Sequence, residues 1–164
     1  MKFNSPFYFG QLVTRAIQLK SIMSDDFARM EVLEICFGID GDPVFLCEDI
    51  KTGVRQHYTE KHLMLIDTES GHYQLESNMG LREIVIRESH QNGEMVQERM
   101  MEVVCVIFLS DDTVHYVCED TYHGNRQVYS ESMLVGDPDF DQEEGKYPVT
   151  PESTEHTNAI PAKD

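Results

Sequence analysis

Sliding the chain along itself by 71 positions lays residues 30–63 on residues 101–134 without a gap. Fourteen of these 34 positions are identical, among them Met30, Phe37, Asp40, Cys47, Glu48, Asp49, Gly53, Arg55, Gln56, Tyr58, Glu60 and Leu63 with their partners 71 residues on. Chance identity for an average composition is about 6%, so the chain carries an internal duplication, and whatever one copy folds into the other must also accommodate. Upstream the match needs small gaps, with Leu12-Val13-Thr14-Arg15 laid on Ile84-Val85-Ile86-Arg87. Two units of about 60 residues fill most of a 164-residue chain, a length that suits one ordinary domain or two very small ones.

Periodicity within the unit predicts strands. Residues 103–109 form an unbroken apolar run and 32–37 nearly so, both short and rich in β-branched or aromatic side chains. Asp40-Gly41 and Asp111-Asp112 follow with turn chemistry. Second strands are expected at 44–49 and 114–120, and third strands at 54–58 and 125–129 beyond turns marked by Gly53 and Gly124. Thr59 and Ser130 then offer hydroxyls to cap a short helical turn ending at Leu63 or Leu134. With the early strands 12–15 and 84–87, each unit has four strands and a 3-10-like turn. The segment 16–26 between the first two strands is left as a loop or a short helix.

An early strand, a long loop, a three-stranded meander and a closing Tyr-x-x-x-x-Leu turn (Tyr58 to Leu63, Tyr129 to Leu134) resemble the small SH3-like or Tudor-like barrel, over about 9–66 and 79–136. The fold expected is mainly all-β: an SH3-like barrel unit at 1–66, a linker at 67–80, a second unit at 81–137, and a disordered acidic tail at 138–164. The resemblance implies a binding module whose ligand lies across loops and exposed aromatics. Its methyl-lysine-reading version uses an aromatic cage around a cation. This chain has no Trp, and the aromatics shared by the copies, Phe37/Phe108, Phe45/Tyr116 and Tyr58/Tyr129, stand mid-strand where core residues belong.

Charge separates the copies. The chain has 30 acidic and 13 basic side chains for a net charge of −17, which argues against a nucleic-acid backbone and an anionic membrane surface. Residues 1–66 hold 9 acids and 7 bases, residues 67–137 hold 14 against 4, and the tail holds 7 against 2. An acidic second unit can steer a basic protein partner into place. The candidate binding residues are Asp111 and Asp112 in one turn, and Glu119, Asp120, Arg126 and Tyr129 around another. Glu119 and Arg126, like Glu48 and Arg55, also read as cross-strand ion pairs that fix hairpin register, contributing about 0.2–1 kcal/mol.

Catalytic signatures are missing. The sequence has no Gly-rich phosphate loop, nucleophile elbow or H-E-x-x-H helix. None of the seven histidines has a matching histidine in the other copy. Cys36, Cys47, Cys105 and Cys118 form no C-x-x-C pair and read as reduced, structural thiols. No cofactor and no metal are expected. The run 100–109 is apolar on both strand faces and needs covering by the neighbouring unit, the long loop or a second copy, so a homodimer is one expectation.

No stretch reaches the length of a bilayer span, and the first residues lack a leader's apolar segment; the setting expected is cytoplasmic. Four of the six prolines fall in the acidic tail, a composition that buries too little surface to offset its ordering entropy. The reading is a non-enzymatic adaptor or inhibitor presenting acid to a basic protein. In style it resembles small phage-encoded proteins that modulate a host. A small-ligand binder or enzyme with its site between the units is the alternative, and salt dependence separates the two.

Overall fold

The computed structural model describes residues 1–16, 28–66 and 71–137, with backbone alone at 88–91 and 95–99. Twelve strands run in order: β1 Lys2–Ser5, β2 Leu12–Arg15, β3 Met30–Gly38, β4 Pro43–Asp49, β5 Arg55–Thr59, β6 Leu63–Leu65, β7 Tyr73–Glu76, β8 Ile84–Gln91, β9 Glu94–Leu109, β10 Val114–Asp120, β11 Arg126–Ser130 and β12 Leu134–Gly136. Single 3-10 turns, Glu60–His62 and Glu131–Met133, precede β6 and β12. The chain is mainly β, as its periodicity predicts.

Each half follows one ladder plan. In the first, β6, β2, β3, β4 and β5 pair antiparallel in that order; in the second, β12, β8, β9, β10 and β11 do the same. The registers agree residue for residue. Val32 pairs with Cys47 as Val103 pairs with Cys118, and a bulge interrupts each ladder at the matched residues Leu33 and Val104. Backbone conformation follows suit: Gly10 and Arg82 are both left-handed, with φ of 76° and 66°, and their N–H groups donate to the matched carbonyls of Val32 and Val103.

The halves meet edge to edge. β3 pairs antiparallel with β9, from Glu34 opposite Leu109 to Gly38 opposite Cys105, and all ten strands join one sheet. The ladders do not close on themselves, so the units share an open sheet rather than standing as two hydrogen-bonded barrels. The apolar run of β9 is thus partly accounted for. Met101, Val103, Val106 and Phe108 are buried in the core, its edge is paired with β3, and Cys105, Ile107 and Leu109 on the outer face remain half-exposed.

A two-stranded ribbon of β1 and β7 covers the inner side of the seam. Phe3 opposes Leu75 in the ribbon. Its ring stacks on Phe37 at 4.6 Å and meets Phe108 edge-on at 5.6 Å, while Phe37 and Phe108 lie 6.0 Å apart. Offset and edge-to-face contacts at these spacings favour aromatic quadrupoles. The ribbon therefore uses part of the expected 67–80 linker as structure. Ser5 Oγ donates to the Phe7 carbonyl and Ser77 Oγ to the Met79 carbonyl, so the match between halves extends upstream to the ribbon at an offset of 72.

Two local expectations change. Neither Thr59 nor Ser130 makes a side-chain cap; Thr59 Oγ1 instead meets His62 Nδ1 at 2.7 Å, and Ser130 Oγ meets Ser132 Oγ at 3.2 Å. The short strands β1, β6, β7 and β12 come in addition to those expected. Residues 17–27, nearly all of the expected loop or helix, and the tail at 138–164 lie outside the described residues.

Candidate functional site

Turn chemistry builds an open groove in the first half. The β3–β4 turn folds because Gly41 adopts φ 80° and Asp40 Oδ1 accepts the Asp42 N–H at 3.2 Å. Asp40 and Asp42 line the groove from this turn, Glu60 and Lys61 from the 3-10 turn, and Pro6 and Phe7 from the segment after β1. Pro43, Val44, Leu63 and Leu65 give apolar surface to a groove of about 880 Å³. Phe7 is buried with its ring edge-on to Phe45 at 5.0 Å. Three carboxylates therefore border a partly apolar groove together with one ammonium, a balance that favours a cationic ligand.

The second half differs at the matching place. Tyr116 stands where the first half has Phe45, and its hydroxyl donates to Glu131 Oε1 at 2.7 Å while accepting the Met79 N–H at 3.3 Å. Burial first, then the Glu131 carboxylate, push the Tyr116 phenol well above its usual range. Glu131, which matches Glu60, is thereby held inward. Phe45 has no hydroxyl with which to hold Glu60.

The residues proposed from sequence fall in three places. Asp111 and Asp112 lie in the exposed β9–β10 turn, where Asp111 Oδ1 accepts from Thr113 Oγ1 at 2.5 Å and from the Thr113 N–H at 3.1 Å. Those two bonds, the hydroxyl first, hold the Asp111 carboxyl below its usual range. Glu119 and Arg126 pair across β10 and β11 at 3.1 Å, mirrored by Glu48 and Arg55 at 3.3 Å. Both arginines are mostly exposed, so these pairs set register more than stability. Asp120 is buried and its Oδ1 accepts the Tyr122 and His123 N–H groups at 2.7 and 3.2 Å. Asp49 does the same for Lys51 and Thr52. Tyr129 is buried, donates to Gln127 Oε1 at 2.8 Å, and has the Arg87 guanidinium 6.0 Å over its ring.

The structure brings Glu119, Asp120 and Arg126 together at one end of β10. Asp111 and Asp112 are placed at the other end, roughly 20 Å away at the usual rise of a seven-residue strand. Asp120 and Tyr129 serve the turn and the core. The acids that border a groove, Asp40, Asp42 and Glu60, belong to the less charged half. Their signal in sequence was a turn with two acids, Asp40 and Asp42, and a third, Glu60, within the Tyr-x-x-x-x-Leu motif.

Among the described residues no group of three or more His, Cys, Asp or Glu is placed to hold a metal ion, and no helix is long and apolar enough to cross a membrane. No family model, curated protein or solved structure matches this chain.

Proposed function

We propose that the protein is a non-enzymatic binding module, an adaptor or inhibitor, whose acidic surface engages a basic segment of a protein partner in a cytoplasmic setting. The observation that carries this reading is the open groove of the first half, bordered by Asp40, Asp42 and Glu60 against Lys61. The strand order of each half, with a 3-10 turn before the last strand, supports its resemblance to small SH3-like modules. Fold alone assigns no function, so the groove's chemistry bears the argument. The remaining negative charge of the second half supplies long-range steering toward a cationic partner.

The test is affinity capture from the native host's lysate with the wild-type chain and an Asp40→Asn/Asp42→Asn/Glu60→Gln variant. A partner retained at low salt, released at high salt and lost in the variant supports the reading. At physiological ionic strength the screening length is about 8 Å, so capture should weaken steeply above it. A partner that the variant binds equally well overturns the groove assignment.

A further inference from the structure

Two of the four cysteines occupy matched positions and two do not. Cys47 and Cys118 hold the same place in their halves, are 0% and 1% exposed, and have thiols pushed up to about 12 by burial. Cys36 corresponds to Ile107, and Cys105 to Glu34, so the repeat itself demands a thiol at neither. The seam nevertheless brings these two together. Cys36 faces Ile107 and Cys105 faces Gly38 across β3 and β9. They are therefore diagonal neighbours on one face of the sheet. Both are half-exposed, and Gly38, opposite Cys105, adds no side chain of its own; the Asp40 carboxylate lies 3.5 Å from where its Cβ would stand.

Cys105 Sγ donates to the Val106 carbonyl at 3.9 Å, and the neighbouring Cys36 thiol, together with the Arg126 guanidinium, draws the Cys105 thiol down against burial and Asp40. The Cys105 thiol and burial hold Cys36 up. The pair thus has one sulfur suited to be oxidised first and a second within reach to resolve it.

We propose that Cys36 and Cys105 form a redox-responsive pair that closes a disulfide across the seam when the chain meets a hydroperoxide. The Cys105 thiolate attacks the terminal peroxide oxygen; the O–O bond breaks, and the departing oxygen takes up a proton as water or an alcohol. Cys105 becomes a sulfenic acid, oxidised by two electrons. Cys36 Sγ then attacks Cys105 Sγ, the S–O bond breaks, and the hydroxide leaves as water with the Cys36 proton. Diagonal Cα atoms sit about 7–8 Å apart, at or beyond the usual disulfide span of about 4.4–6.8 Å. Closing the bond therefore needs local movement of the backbone along β3 and β9, and a bond under such strain is readily reduced again.

The experiment treats the full, reduced chain with hydrogen peroxide, blocks remaining thiols with N-ethylmaleimide, and maps the digest by mass spectrometry. The expected product is an intramolecular Cys36–Cys105 cross-link that a dithiol reverses, with Cys47 and Cys118 blocked only after denaturation. In a Cys36→Ser variant with an unchanged circular dichroism spectrum, dimedone should trap the sulfenic acid at Cys105. Linkage between chains, oxidation centred on Cys47 or Cys118, or no cross-link would each overturn the proposal.

Discussion

Cys36 and Ile107 face one another across the β3–β9 ladder, and they are the same position of the two halves, 71 residues apart. An antiparallel pairing of equivalent residues is what a local twofold axis requires. The neighbouring pairs obey it: Ile35 with Phe108 becomes Val106 with Phe37 on exchange of halves. The ribbon obeys it too, since Phe3 opposes Leu75, its own counterpart at an offset of 72. The seam is therefore organised as a homodimer interface would be, but within one chain.

Phe3 is where that symmetry is broken by size, an aromatic ring against a leucine, and it fills the space between Phe37 and Phe108. Phe3→Ala removes a buried ring in contact with both halves, and such truncations cost about 3–5 kcal/mol. The expected outcome is a single unfolding transition shifted to lower denaturant concentration, measured by urea melts. A shift under about 1 kcal/mol, smaller than any buried-ring truncation of this kind, would mean that the ribbon is not part of the cooperative unit.

Arg82 adopts the left-handed backbone, φ 66°, at the position where the first half has Gly10 at φ 76°. A non-glycine residue held there costs of order 1–3 kcal/mol, partly offset because glycine leaves the unfolded chain more freedom. The Arg82–Glu102 contact at 3.7 Å has an arginine side chain 70% exposed and contributes little. Arg82→Gly should therefore stabilise the protein by about 0.5–1 kcal/mol, seen as a raised thermal midpoint. A lowered midpoint would show that the Arg82 side chain contributes more than its backbone strain costs.

Much of the sheet was legible because its signal is repeated. β2, β4 and β10 combine short apolar runs with flanking Asp or Gly turns, and each copy corroborates the other. β1 and β7 were not, since the repeat does not corroborate them: of Lys2–Ser5 and Phe7 only Ser5 is kept in the matching residues up to Met79. The shared open sheet was illegible for a different reason. Pairing across the seam depends on the unmatched edges of β3 and β9, which composition does not label. Asp40, Asp42 and Glu60 escaped notice because each taken singly is an ordinary solvated turn residue; only the fold sets them around Pro6 and Phe7. Net charge pointed instead to the second half, where turn geometry and the Tyr116 hydroxyl engage several of the acids.

Tyr116 tests that account most directly, because its twin Phe45 shows that the ring alone suits the site. Tyr116→Phe deletes the acceptor of the Met79 N–H and the donor to Glu131. A buried N–H left unpaired costs about 1–3 kcal/mol, so the variant should melt lower at neutral pH. The pH dependence separates this from a generic packing defect. The Tyr116 phenol is raised in the folded state, so it binds its proton more tightly there than in the unfolded chain, whose tyrosines titrate near about pH 10. The stability it contributes is fully present below that pH and is lost as pH rises further, through the folded value. Chemical denaturation at a series of alkaline pH values should show the wild-type advantage shrinking above about pH 10, with the two curves converging. Parallel curves across that range would mean that the phenol is neither shielded by burial nor held by the Glu131 carboxylate.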